Sequence, residues 1–308
     1  MFIYLAGGVS GNLRDFFMKI HLAQASNDPR LTELFKVFLA GNYPGNNGKD
    51  MKVFLAGNNN DGEIYNNNLL NSNIKLSDLN ILESYYYIRN NIDTTIKLIP
   101  YFNSFLLDSG AFTFMQGNHD VEINWDRYIE EYGEFIKKYD INLFFELDID
   151  SLVGISEVER LRDKLQDITG KPPIPVWHKN RGKEYFIQMC QKYPYVALGG
   201  MASAGDKNRK LYEKLFPWFI TTAHKYGAKI HGLGYTSVAK LKIFRFDSVD
   251  STAWLYGNRS GWLDKFNPNT GLMEKVTVSP NKKLKSKEAA INNFIQWAKF
   301  AKYAELYY

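Results

Sequence analysis

The sequence predicts an α/β protein built as a (β/α)8, TIM-like barrel. Three observations lead there. From residue 51 onward short apolar runs alternate with amphipathic stretches, the pattern of parallel strands joined by crossover helices. Nearly every apolar run ends in a polar residue or a glycine pair: Asp108, Asp148, His178, Gly199 with Gly200, His231 and Asp250. A barrel brings all those strand ends to one face, where such folds place their chemistry. The competing architecture is an open doubly wound sheet, and no Gly-x-Gly-x-x-Gly follows any of the runs to support its dinucleotide-binding form.

The elements follow in order. Val53–Ala56 reads as a short apolar strand and residues 81–90 (ILESYYYIRN) as a helix. Phe105–Leu107 is a strand ending in Asp108. Asn124–Tyr139 places Trp125, Tyr128, Ile129, Tyr132, Phe135 and Ile136 on one helical face. Leu143–Leu147 is a strand ending in Asp148, and Ser156 is the expected N-cap of a helix to Thr169. Ile174–Trp177 is a strand after the breaker Lys171-Pro172-Pro173, and Lys183–Lys192 a helix. Tyr195–Leu198, Lys229–His231 and Phe246–Val249 are strands, interleaved with helices over Asn208–Tyr226 and Ser237–Ile243. A helix over Lys287–Tyr303 closes the pattern, giving seven strand–helix units, or eight if one strand is hidden.

Ahead of these lies an internal repeat. Met1-FIYLAG, Met18-KIHLAQ, Phe35-KVFLAG and Met51-KVFLAG begin 17, 17 and 16 residues apart. Each is a β-type run followed by small and polar residues, too short a period for the common helical solenoids. The expected division is a leader of tandem repeats over 1–50, with only the last copy feeding the main fold, and a barrel domain over 51–308. A docking or oligomerisation element is the other reading of the repeats.

Composition bounds the function. With 45% hydrophobic and 23% charged residues among 308, the chain carries enough apolar material for a sizeable core. Cys190 is the single cysteine, which excludes an internal disulfide framework and leaves almost no route to a cysteine-based zinc site. That fits a reducing, intracellular compartment. No apolar run reaches membrane-spanning length and the N-terminus lacks the pattern of a signal peptide. The expectation is a cytoplasmic protein without membrane contact. The net charge of +5 permits a nucleic-acid partner without demanding one.

The candidate chemistry sits at the strand ends. Asp108 and Asp250 would meet across a barrel mouth, and paired carboxylates divide labour at a glycosidic carbon, one attacking while the other moves protons. Each alone also suits a turn or a cap. Glu146, Asp148 and Asp150 alternate along one run, so strand geometry puts three acids on one face. They would repel unless they bind something, whether a divalent metal or donors on a heterocycle, and Asp148 is the expected ligand-binding member. His178 and His231 with carboxylates could make a metal site of the amidohydrolase kind, but that superfamily's His-x-His pair on the first strand is missing, and no metal is expected. Gly199, Gly200 and Gly232 would let backbone N–H groups approach a planar ring or an oxyanion.

Six segments in order resemble the guanine transglycosylases, the queuine/archaeosine tRNA-ribosyltransferase superfamily. They are residues 107–112 (LDSGAF), Leu147-Asp148, 175–178 (PVWH), 197–201 (ALGGM), 231–237 (HGLGYTS) and 248–254 (SVDSTAW). The likeness is greatest to the phage and bacterial branch that inserts 7-deazaguanine bases into DNA. The resemblance implies a (β/α)8 barrel and base exchange without a cofactor. It implies Asp250 as the nucleophile and Asp108 as the acid/base. Asp148 and His178 would read the base edge, and Ser109 would line the same substrate site. Gly199 and Gly200 would donate from the backbone to the base carbonyl, His231 would lie against the ring, and Gly232 would belong to the same substrate site. The tRNA enzymes carry a zinc subdomain built on several cysteines, which a chain with Cys190 alone cannot form. That points to DNA, as a duplex with a flipped guanine or as a single strand, and to a free 7-deazaguanine derivative (preQ0-like) as second substrate. For a virus-encoded chain the setting would be the host cytoplasm. Arg259, Lys282 and Lys283, with Lys285 and Lys287 beyond, are the expected phosphate contacts. The same chemistry on tRNA, a nucleoside or glycoside hydrolase using Asp108 and Asp250, and a silent nucleic-acid-binding barrel are the alternatives.

Overall fold

The computed structural model describes residues 1–6, 74–89, 96, 98–116, 123–201, 206–255, 262–277 and 286–308. Eight parallel strands make one sheet: β1 (Phe2–Ala6), β2 (Asn80–Ser84), β3 (Ser104–Asp108), β4 (Leu143–Phe144), β5 (Val176–Trp177), β6 (Tyr195–Leu198), β7 (Lys229–Gly232) and β8 (Ser248–Ser251). Their order is β4-β3-β2-β1-β8-β7-β6-β5. The two outer strands meet at a parallel bridge between Phe145 and Ile174, where Ile174 N donates to Phe144 O (2.8 Å) and Glu146 N to Ile174 O (3.0 Å). This is a mixed α/β fold of the TIM-like (β/α)8 kind.

Strand alternation sorts the core into two layers. Tyr4, Leu82, Leu106, Phe145, Ile174, Val176 and Ala197 pack together inside the curl. Ile3, Leu5, Ile81, Leu107, Val196, Leu198, Ile230 and Val249 pack outward against the helices. Those helices include α1 (Tyr85–Ile88), α2 (Ala111–Gln116), α3 (Trp125–Lys138), α4 (Asp150–Val153) and α5 (Ile155–Thr169). They continue with α6 (Gly182–Lys192), α7 (Asp206–Lys225), α8 (Val238–Leu241) and α9 (Ser286–Tyr307). Asn124 caps α3 by accepting from Arg127 N at 2.9 Å. Buried Tyr132 on α3 donates to Leu107 O and Phe145 O (3.2 and 3.1 Å), pinning the helix to β3 and β4. No helix among the described residues is long and apolar enough to cross a membrane.

The first strand of the sheet is the first copy of the repeat. Tyr4 pairs with Asp250 and Leu5 with Ser251 on one side, and Leu5 with Ile81 on the other. Residues 2–6 therefore belong to the barrel sheet rather than to a leader apart from it. The other three copies, Val53–Ala56 and the expected domain start at 51 lie outside the described residues.

Four elements differ from the sequence reading. Residues 81–90 were expected as one helix, but 80–84 form β2, buried along most of its length. A strand covered on both faces shows no alternation, so periodicity does not separate it from a helix. Ser156 lies inside α5, and Gly154 holds the N-cap position. β8 starts two residues later than expected, which puts Asp250 within the strand. An antiparallel hairpin, β9 (Trp262–Asn267) and β10 (Leu272–Thr277), was not foreseen. It is bound to α9 through Asn293 Oδ1, which accepts from Asp264 N, and through Trp297 Nε1, which donates to Asp264 Oδ2 (2.8 and 2.9 Å).

Candidate active site

Asp108 closes β3, and the chain turns at once through Ser109 and Gly110 into α2. Gly110 N donates to Asp108 Oδ2 at 2.9 Å. Gly110 has φ +85°, and a Cβ there would stand 2.5 Å from Tyr86 Cβ, so the turn needs glycine. Ser109 is buried beside it. Its carbonyl accepts from Tyr128 Oη at 2.6 Å, while its own hydroxyl has no partner among the described residues. Burial pushes the Asp108 carboxyl up to about 6; the Gly110 N–H opposes this, and the charges of Asp250 and Asp148 add to it.

Asp250 lies in β8, opposite Tyr4 of the adjoining β1. Gly234 N donates to its Oδ1 at 2.6 Å, and His231 Nε2 lies 3.3 Å from the same oxygen. His231 was expected against the ring of a bound base. It is fully enclosed instead, with Phe145 and Tyr4 rings beside it (centroids 5.3 and 6.1 Å). Gly232 follows His231 at the end of β7. A Cβ on it would meet Val249 Cγ1 at 3.3 Å and Phe246 Cε1 at 3.4 Å, so it makes room for core side chains.

Across the mouth, Asp148 and His178 form a close pair, His178 Nε2 lying 2.7 and 2.8 Å from the two Asp148 oxygens. Burial works against the charged imidazole, but the Asp148 hydrogen bond and charge, with Asp150 beyond, outweigh it and raise the His178 pKa. Gly199 was expected to offer its N–H to a ligand. That N–H donates to Trp177 O at 2.8 Å within the sheet. A Cβ at Gly199 would come within 2.5 Å of His178 Cε1, so the residue seats the histidine. Gly200 remains as the backbone candidate of the pair, with its φ at +78° and His178 Nδ1 3.5 Å from where a Cβ would stand.

The three acids of this segment do not share one strand face. The strand stops at Phe144, and Asp150 is the first residue of α4. Glu146 is fully buried between two guanidinium groups: Arg162 Nη1 at 3.1 Å and Arg181 Nη1 at 2.9 Å, with Val176 N donating to it at 2.8 Å. Burial raises its pKa and the two arginines oppose that. Arg181 also donates from Nε to Asp150 at 3.2 Å, and its Nη2 stands 3.8 Å from Asp148. Burial would raise the Asp150 pKa, but Arg181, Asn180 and His178 hold it below its usual value. Arg181 is the functional residue the sequence reading missed. The ligand atoms of Asp148, Asp150 and His178 do lie within 4.8 Å of one another, but the charge that a cation would supply there comes from Arg181.

The structure thus brings Asp108, Ser109, Asp250, Asp148, His178 and Gly200 to the ends of the strands, and it sets His231, Gly232 and Gly199 beneath or behind them. Arg259, Lys282, Lys283 and Lys285 lie outside the described residues. Nothing is described of the Lys287 side chain. The chain matches no protein-family model, and it has no match among curated proteins.

Proposed function

We propose that the protein is a DNA guanine transglycosylase, which exchanges guanine in DNA for a free 7-deazaguanine derivative. The observation that carries this reading is that Asp108 on β3 and Asp250 on β8, separated by two strands in the sheet, stand close enough for the charge of one to act on the other and yet have unlike surroundings. Asp108 is half-buried at the end of β3, and desolvation raises its carboxyl to about 6. Asp250 accepts two hydrogen bonds on one oxygen. Such a split suits one carboxyl for proton transfer and the other for attack. Asp250 attacks C1′ of the target nucleotide, the C1′–N9 bond breaks, and its electron pair passes to guanine as guanine takes a proton from Asp108. The incoming 7-deazapurine returns a proton to Asp108 as its N9 displaces the Asp250 carboxylate from C1′. The enzyme ends as it began, with no cofactor in the balance. Asp148 and His178, held together at the same mouth, would read the edge of the base. The single cysteine supports DNA over tRNA by analogy with the zinc-bearing relatives of the resembling family.

The test offers labelled guanine with duplex DNA, single-stranded DNA or tRNA as acceptor. Label is expected in DNA and not in tRNA, and Asp250→Ala is expected to remove both exchange and any covalent protein–DNA adduct. Label in tRNA alone would reassign the acceptor. Abasic sites without label would make the protein a hydrolase. An active Asp250→Ala protein would sink the nucleophile assignment.

A further inference from the structure

A chain of buried polar groups runs beneath Asp250 and takes no part in the exchange as described. Tyr195 Oη is hydrogen-bonded to Ser248 Oγ, and Ser248 Oγ to His231 Nδ1. His231 Nε2 reaches Asp250 Oδ1 at 3.3 Å. Ser248 and His231 are both wholly excluded from solvent. The three residues come from the adjacent strands β6, β7 and β8, where Ala197 pairs with His231 and His231 with Ser248.

We propose that Tyr195, Ser248 and His231 act as a relay that fixes the Asp250 carboxylate for attack, which makes His231 a positioning residue. The inference rests on the reading of Asp250 as nucleophile. The direction of the chain follows from counting protons. As a carboxylate, Asp250 only accepts, so the imidazole proton belongs on Nε2. Nδ1 then holds a lone pair and accepts from the Ser248 hydroxyl, and Ser248 in turn accepts from Tyr195. Three protons fill three bonds with none left over. Leaving any of these enclosed groups unpaired would be costly, so the ring has one orientation to choose. Both Asp250 donors, His231 Nε2 and Gly234 N, fall on Oδ1, and among the described residues Oδ2 has no partner. One oxygen is anchored, which leaves the other to attack C1′. A nucleophile held in this way keeps a near-attack geometry that a freely rotating carboxylate would lose.

The test uses the full chain with three variants, His231→Phe, His231→Gln and Ser248→Ala. Each is read by single-turnover formation of the covalent DNA adduct, by the KM for free base and by thermal melting. His231→Phe keeps the ring and removes both of its hydrogen bonds. Adduct formation is expected to slow by about 10–100-fold, the usual cost of losing an outer-shell orienting group, with the KM for base unchanged. His231→Gln restores an N–H donor and is expected to recover most of the rate. Ser248→Ala should fall between them and carries the test if His231→Phe does not fold. A wild-type rate in both His231→Phe and Ser248→Ala overturns the proposal. So does a raised KM at unchanged rate, which would mean that the ring packs on the base. Nitrogen-15 shifts of the His231 ring give a readout independent of activity: protonated Nε2 and bare Nδ1 are expected, with loss of the fixed tautomer in Ser248→Ala. A protonated Nδ1 in the wild type overturns the relay. A wild-type protein that shows the expected tautomer yet forms no adduct overturns the transglycosylase reading instead.

Discussion

The two sides of the barrel mouth hold carboxylates in opposite ways. On the β4–β5 side Glu146 and Asp150 each touch a guanidinium, and Asp148 is locked to His178 with Arg181 behind it. On the β3–β8 side no Lys or Arg among the described residues bonds to Asp108 or Asp250, and backbone N–H groups and one imidazole take that place. The difference separates two jobs. A carboxylate matched by a guanidinium is a fixed acceptor, good for holding a shape or a base edge. A carboxylate held by neutral donors keeps its charge available for a bond that forms and breaks, because no neighbouring cation competes for it.

The widest break in that comparison comes from Asp108→Asn. Exchange is expected to stop while nucleic acid still binds, and stability should move the other way. The Asp108 carboxyl holds its proton up to about 6 in the folded chain, against an ordinary value of 3.8. Its favourable contribution is therefore complete below about pH 4 and is lost as the pH climbs through 6. At pH 8 the asparagine variant should be more stable by on the order of 3 kcal/mol, an advantage that vanishes at pH 4. Urea unfolding at both values checks it, and equal stability of the two proteins at pH 8 would show that burial does not govern this carboxyl.

On the other side, Arg181→Met removes a guanidinium that is 1% exposed while Glu146 stays 0% exposed. Breaking a buried pair from one end costs about 3–5 kcal/mol, to be read from the urea midpoint. The double variant Arg181→Met with Glu146→Gln should recover only part of that loss, because buried Arg162 then loses its own carboxylate partner. Tyr128→Phe is smaller. It deletes the hydroxyl that donates to Ser109 O and should cost about 1 kcal/mol, with a loss of exchange rate if the Asp108 turn loosens. The least effect is expected from Arg160→Ala, on the outer helices. Arg160 binds Asp126 and Glu157 there at the solvent-accessible surface, and such pairs are weak, so both stability and exchange should stay at wild-type values.

Much of this layout is legible in the sequence. Polar residues closing apolar runs mark the mouth because a buried parallel strand has few other reasons to end so, and Asp108 and His178 stand where that logic puts them, whereas β4 stops at Phe144 and Asp148 follows on the loop. The glycines were harder. Close approach of a ligand and close approach of a side chain both require the loss of Cβ, and sequence does not separate them. Gly199 turns out to seat His178, and Gly232 to seat Phe246 and Val249. Arg181 left a fainter trace. Three acids within five residues demand a counter-charge, and Lys179-Asn180-Arg181 follows His178 directly, but the pairing spans 35 residues from Glu146. The hairpin at 262–277 had its own signal in Asn269-Thr270-Gly271 between two alternating runs. The repeat gave four equivalent strands and no means of ranking them.

The place of β1 between β2 and β8 also sets an order in time. Residues 2–6 leave the ribosome among the first of these residues, yet the strand that covers one of their edges begins at Ser248. At a synthesis rate of about 5–20 residues per second, roughly 10–50 s separate the two. Throughout that interval one row of N–H and C=O groups on β1 has no native partner, and an open strand edge invites pairing with other chains. A nascent chain stalled or cut before residue 248 keeps that edge open for good, so its failure should appear as aggregation rather than as a soluble protein that merely lacks activity.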